Sequence, residues 1–221
     1  MITTLRPTDQ KNSKTPTGEQ RVTFHHLTWA QYQQILTALP ETRSARLVYA
    51  CGTLEISMPL EDHEQASEII NIFIRILVLE MGLKLKSMGS TTLGREDLDR
   101  GSEPDKAYYI KNQPLVAGRK VNLQKDPPPD LVIEIDITHT DMDKNRLYAT
   151  MGVPEFWRFN GHHLQIYQLQ SDQYIEIKQS PTFPIIAKED FYAFIDSAKQ
   201  DEMAAEIEFR AWVKNRLAEG E

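Results

Sequence analysis

Apolar and polar positions along this chain repeat with two periods, and the switches between them mark its elements. Thr28 can cap a short helix that runs through Leu39, and Pro40 ends it. From Arg46 to Met58 two β-rich runs flank Cys51-Gly52-Thr53, a hairpin pattern. The strongest helical signal follows. Ala66, Ile69, Ile70, Phe73, Ile76 and Leu77 recur at helical spacing, and Gly82 supplies the stop. Glu61 and Asp62 put negative charge in the first turn, where the helix dipole favours it. Ile72, Ile74, Val78 and Leu79 are apolar as well, which predicts cover on most sides. The polar exceptions Glu64, Glu68, Asn71 and Arg75 are spaced by four, three and four residues. They form one stripe that faces solvent or a polar cleft.

Leu83 to Leu93 reads as a pair of short strands around Gly89. Glu103-Pro104-Asp105 opens a strand over 106–110, because proline fits a strand start or an edge. Residues 111–126 have no period and are predicted to be a loop. Pro127-Pro128-Pro129 leads stiffly into Asp130–Asp136, the clearest strand in the sequence. A short helix from Asp143 to Met151 is closed by Gly152, with Pro154 beyond it. Glu155–Phe159, Leu164–Leu169 and Tyr174–Lys178 follow as a meander, separated by Asn160-Gly161 and Ser171-Asp172. Helices over 188–198 and 202–217 complete the pattern. The sum is one α/β domain over residues 23–221, a mixed β-sheet flanked by helices with a helix at the C-terminus. Residues 1–22 are polar and aperiodic and read as a disordered tail.

Composition agrees with a single core, since 221 residues fall just short of the size, about 250–300, at which cores stop growing. With 40% hydrophobic and 26% charged residues the chain is neither a polytopic membrane protein nor a disordered polyelectrolyte. Ile69–Leu79 is too short to span a bilayer and the N-terminus carries no secretory signal, so a cytoplasmic protein without membrane partners is expected. The net charge of −7 excludes unspecific coating of nucleic acid, which needs many lysines and arginines on phosphates. Any nucleic-acid chemistry must use a local basic groove or metal ions that bridge carboxylates to phosphate. The single cysteine, Cys51, excludes an internal disulfide and a four-cysteine zinc site, and its apolar neighbours predict a reduced, half-buried core thiol.

Several motifs are absent: the P-loop, G-x-G-x-x-G, the G-x-S-x-G nucleophile elbow, and the second histidine that His63-Glu64 would need for a zinc helix. No small-molecule organic cofactor is expected, and carboxylate chemistry remains. In the strand Asp130–Asp136, Leu131, Ile133 and Ile135 point one way while Asp130, Val132, Glu134 and Asp136 point the other. Two readings of the acidic face stand. It is the solvated side of an antiparallel sheet, or it holds buried carboxylates that need a divalent cation. Asp105 is a turn residue or, with Glu134, half of such a site, since Mg²⁺ takes one or two carboxylates with water and phosphate oxygens. Lys144, ten positions past Glu134 at the next helix start, is solvated or folded back over the strand end.

Those residues carry a resemblance. Asp105 with its preceding proline, the Pro129–Glu134 strand and the string from Lys144 through Gly152-Val153-Pro154-Glu155-Phe156-Trp157 resemble the Uma family of endonucleases. That family belongs to the PD-(D/E)XK restriction-endonuclease-like superfamily. Leu27–Tyr32, Pro59–Glu64 and Gly89–Leu93 match as well, so the resemblance covers about residues 24 to 196. It implies a restriction-endonuclease-like core and metal-dependent hydrolysis of DNA phosphodiester bonds. Asp105 corresponds to the first acid of the motif, Glu134 to the second, and Glu64 to a helix acid that often completes such sites. The implied ligand set for Mg²⁺ (or Mn²⁺) is therefore Asp105, Glu134 and Glu64. The chain departs from the motif at its lysine: Asp136 stands two residues past Glu134, and the lysine comes from the following helix as Lys144.

In the implied mechanism, the cation polarises the scissile phosphate and activates water while Lys144 orients that water or offsets the charge of the transition state. Glu64 holds an outer water or a second ion, and Asp136 is a third carboxylate or a solvated one. His63 and His139 are read as surface groups or as groups behind the ligands, and not as bases. The competing reading is a nuclease-fold DNA- or protein-binding module without turnover, which the net charge and Asp136 favour. A homodimer is expected, because double-strand cutters pair single-site subunits and the last helix carries Ile207, Trp212, Val213 and Leu217.

Overall fold

The computed structural model describes residues 20–40, 42–138, 140 and 142–219, and the strands sort into two sheets. The first contains β1 (Gln20–Phe24), β2 (Arg46–Ala50), β3 (Thr53–Met58), β5 (Leu93–Arg95) and β6 (Arg100–Ser102). Its order is β1-β3-β2-β6-β5 and every neighbour is antiparallel. The second contains β4 (Lys86–Ser87), β7 (Lys106–Tyr109), β8 (Leu131–Ile135), β9 (Glu155–Phe159), β10 (Leu164–Gln170) and β11 (Gln173–Ile177). It runs β11-β10-β9-β8-β7-β4, parallel only between β8 and β9. A parallel pair needs a crossover, and α4 (Lys144–Thr150) provides it.

Helix placement follows from the apolar stripes. α2 (Glu61–Glu80), α5 (Lys188–Ala198) and α6 (Glu202–Glu219) cover one face of the second sheet. Phe73, Phe191 and Phe209 meet Ile133, Ile135 and Trp157 there. α4 covers the other face: Leu147, Tyr148 and Met151 pack on Val132 and Phe156, and Val48 and Leu93 of the first sheet join them. The whole of β8 is therefore buried on both faces, with about 1.5–3 kcal/mol of stabilisation for each large apolar side chain removed from water. α1 (Trp29–Ala38) covers the first sheet and begins at Thr28 with a capping box shared with Gln31. Its Tyr32 stacks on Tyr49 and lies so close to β6 that a Cβ at Gly101 would meet the Tyr32 hydroxyl at 2.6 Å.

Most expected elements form, and the differences have physical causes. The fold begins earlier than residue 23: Gln20–Val22 belong to β1, because Arg21, Val22 and Phe24 register against Ser57, Ile56 and Leu54. The remainder of the expected tail lies outside the described residues. The two short strands around Gly89 do not pair with each other; β4 joins β7 and β5 joins β6. Residues 111–126 include a single helical turn, α3 (Gln113–Val116). Cys51 is exposed and not half-buried, because it occupies the hairpin turn at φ 44°. In α6, Val213 is buried while Ile207 remains 67% exposed. Among the described residues no helix is long and apolar enough to cross a membrane.

Candidate functional site

Strand register brings the two acids together. β7 and β8 run antiparallel with Lys106 opposite Ile133, so Asp105, one step before β7, comes beside Glu134 and Ile135. The Ile135 amide donates to Asp105 Oδ2 at 2.7 Å, which fixes the carboxylate. His63, in the first turn of α2, places Nε2 3.2 Å from the same oxygen. The alternation of β8 turns Glu134 towards α4. Asp143 caps α4 by accepting from the Arg146 amide at 2.9 Å, and the first helical residue is Lys144. The Lys144 ammonium donates to Glu134 Oε2 at 2.7 Å and to Asp136 Oδ1 at 2.5 Å. One helical turn on, the Tyr148 hydroxyl donates to Glu134 Oε1, and Ser102 Oγ lies 2.7 Å from that hydroxyl. Arg158, opposite Glu134 in β9, donates from Nε to Asp136 Oδ2 at 2.7 Å.

The acidic face of β8 is thus buried, which excludes its solvated reading: Asp105, Glu134, Asp136 and Lys144 are each at most 6% exposed. A buried charge without partners is strongly disfavoured, and these groups answer one another unevenly. Burial pushes the Glu134 carboxyl up to about 7; Asp105 and Asp136 push the same way, and Lys144 only partly offsets them. Asp105 is also raised by burial, but His63, the Lys144 charge and the Ile135 amide outweigh that and hold it below the usual carboxylate range. Burial lowers the Lys144 ammonium, yet Glu134, Asp136 and Asp105 more than offset it and hold it above the usual lysine range. Burial and then the Glu134 charge raise the Tyr148 phenol well above its ordinary value.

Asp105, Glu134, Lys144 and His63 line a crevice where the two sheets meet, with Arg46, Val48 and Glu55 on the side of the first sheet. It has about 10 Å³ of space for a water-sized sphere, roughly what one water or a monatomic ion needs. The structure brings Asp105, Glu134 and Lys144 together and leaves Glu64 out. The Glu64 side chain is 55% exposed, lies 3.5 Å from Arg46 and does not line the crevice. His63 is not a surface group: it is 6% exposed and touches Asp105. His139 lies outside the described residues. Asp136 is not solvated, because Lys144 and Arg158 hold both of its oxygens. Tyr148, four residues after Lys144 on one helix face, lies in the string that carries the resemblance but received no role there, and Arg158 went unread. Among the described residues no group of three or more His, Cys, Asp or Glu side chains is arranged to hold a metal by itself.

Comparison with known proteins gives three likenesses. The Uma2 family, described as putative restriction endonuclease, matches residues 29–194. Over 145 residues, 66% of this chain, the sequence is 27% identical to the dual E2 ubiquitin-conjugating enzyme/E3 ubiquitin-protein ligase BIRC6 of Homo sapiens and of Mus musculus. The chain spans about 3% of the length of these curated relatives. The fold is similar, at a TM-score of 0.49 and 18% identity, to the crystal structure of a putative nuclease of DUF820 from Anabaena variabilis. That match covers 76% of this chain and 99% of the other.

Proposed function

Because the chain belongs to the Uma2 family, we propose that it is a divalent-metal-dependent endonuclease that hydrolyses DNA phosphodiester bonds at the crevice between the two sheets. The observation that carries this reading is the convergence of Asp105, Glu134 and Lys144, buried, at one opening. The donor set fits Mg²⁺ or Mn²⁺. Mg²⁺ commonly takes one or two protein carboxylates and leaves its other positions to water and phosphate oxygens, and Asp105 and Glu134 are two. The charge fits as well. A carboxyl held up near 7 by burial and two neighbouring acids belongs to a site short of positive charge.

Asp105 and Glu134 would hold the cation, which when bound polarises the scissile phosphate and makes water more acidic. The chain's own residues supply the rest. The Ile135 amide and His63 fix the rotamer of Asp105. Tyr148 fixes that of Glu134. Lys144 brings a positive charge to the place where the phosphate becomes more negative, a differential interaction that lowers the barrier. Arg46, at the rim, draws a phosphate towards the opening. With a net charge of −7, DNA contact rests on these few groups and on the cation. A two-fold dimer through α6, where Met203 and Ile207 are 63% and 67% exposed, would place two such sites on one duplex. Light scattering that returned the monomer mass at micromolar concentration would remove the dimer.

A second reading, a nuclease-fold module without turnover, draws on one observation: Lys144 and Tyr148 already occupy both oxygens of Glu134. A Mg²⁺ or Mn²⁺ titration by calorimetry, run beside plasmid nicking, separates the two. The endonuclease reading expects saturable binding and metal-dependent nicking, both lost in Asp105→Ala and Glu134→Ala. Equal nicking by the parent and Glu134→Ala would mean a contaminating nuclease and would end it.

A further inference from the structure

Asp136 stands where the PD-(D/E)XK motif places its lysine, two residues past Glu134. Here that position carries the partner of the lysine that α4 supplies. The Lys144 ammonium sits between Glu134 Oε2 and Asp136 Oδ1. If Glu134 is to hold a divalent cation, Lys144 and the cation compete for the same carboxylate and repel each other. A buried ammonium released with no other acid beside it would be strongly disfavoured. Lys144 would then cling to Glu134 and compete with the cation.

Asp136 removes that conflict, and its own position is fixed on three sides. Arg158 Nε holds Oδ2 at 2.7 Å, the Asp136 amide donates to the Phe159 carbonyl at 2.7 Å, and the side chain is 1% exposed. Arg158, with a side chain 32% exposed, keeps part of its charge in water while it holds Asp136. We propose that Asp136 is a positioning residue that retains the Lys144 ammonium when Glu134 turns to a divalent cation, so that the lysine stays beside the crevice. This rests on the metal-dependent reading above and adds a residue that the family motif does not supply.

The test is a double-mutant cycle on metal affinity, measured by calorimetry with Mn²⁺ alone on the full chain: parent, Asp136→Asn, Lys144→Met and the double variant. If Asp136 acts through Lys144, Asp136→Asn weakens Mn²⁺ binding by about tenfold or more, the scale of losing a partner of a liganding group. In the Lys144→Met background the same change then has almost no effect. An equal loss in both backgrounds would mean that Asp136 binds the cation or acts only through its charge, and would overturn the proposal. No loss in either would do the same. Should Asp136→Asn fail to fold, Arg158→Gln replaces it, with a smaller loss expected that again vanishes with Lys144→Met. Plasmid nicking by the parent is recorded alongside. Coupled Mn²⁺ binding in a parent that leaves DNA intact would end the endonuclease reading and leave the role of Asp136 standing. Nicking with no coupling would do the reverse.

Discussion

Glu134 on β8 and Glu155 on β9 are both buried in the second sheet on neighbouring strands, and they differ in what surrounds them. Glu155 accepts from Trp157 Nε1 and Ser180 Oγ, each at 2.6 Å, and from the Thr182 amide and hydroxyl at 3.1 and 2.5 Å. Burial still raises its carboxyl, although those donors pull the other way. Glu134 has one phenol, one ammonium and two acids for neighbours. A carboxylate enclosed by neutral donors has its hydrogen-bonding capacity filled and pins a loop. One enclosed by competing charges can exchange partners. Burial alone therefore says little about chemistry; the kind of partner decides.

The largest expected effect separates the two by activity. Glu134→Ala should lower nicking by at least about 10²–10³-fold, the scale of losing a group that acts on developing charge. Glu155→Ala should leave nicking per folded molecule unchanged. Plasmid nicking normalised to the folded fraction checks both, and an equal loss in Glu155→Ala would break the comparison. Lys144→Ala should retain the metal and lose most of the rate.

Stability should show the opposite ranking. Glu155→Ala strands four donors, three of them on the loop that carries Ser180 and Thr182, and should cost about 2–4 kcal/mol. Glu134→Gln removes a crowded buried charge and leaves Lys144 paired with Asp136, so it should cost less than about 1 kcal/mol or even stabilise. Urea denaturation with chelator present measures the two. A larger loss for Glu134→Gln would mean that the crevice acids hold the fold together.

The contrast between these glutamates also explains what the sequence made legible. Alternation in Asp130–Asp136 placed Glu134 and Asp136 on one face, and register in the structure agrees. Glu155 carried no such signal, because its partners at 180 and 182 lie across a meander that local pattern does not span. His63 stayed open between a surface group and one behind the ligands for a related reason. Its contact with Asp105 depends on how α2 sits over β7, a tertiary fact with no trace in spacing. β6 escaped because it is short, Gly-containing and paired within the first sheet. Helices α1 and α2 were legible because capping and a 3.6-residue stripe are local properties.

A pH series sharpens the same pair. A group raised in the folded state contributes stability below its unfolded value and loses it as pH rises through the folded one. Glu134 moves from an ordinary 4.5 to about 7, so the metal-free protein should lose stability as pH climbs across that window. Glu134→Gln should flatten that part of the curve, and the contribution of Glu155 should survive in the variant. Metal affinity should run the other way, rising with pH through about 7, because the cation needs the carboxylate. An Mn²⁺ affinity that stayed level from pH 5.5 to about 8 would show that Glu134 does not compete with protons for the cation.

The smallest effect belongs to Glu64, the acid that the family pattern suggests and the crevice does not receive. Its carboxylate is 55% exposed and its arginine partner lies at 3.5 Å, the geometry of a solvent-screened pair. Exposed pairs of this kind contribute roughly 0–1 kcal/mol, and a water-bathed side chain loses little when shortened. Glu64→Ala should therefore change stability by less than about 0.5 kcal/mol and Mn²⁺ affinity by less than about twofold, well under the cost of removing a liganding partner. Calorimetry on Glu64→Ala beside Asp105→Ala measures the difference directly. A tenfold loss for Glu64→Ala would show that the helix acid swings inwards to the cation, and the boundary drawn here between buried, exchangeable acids and exposed, screened ones would have to move outwards to include it.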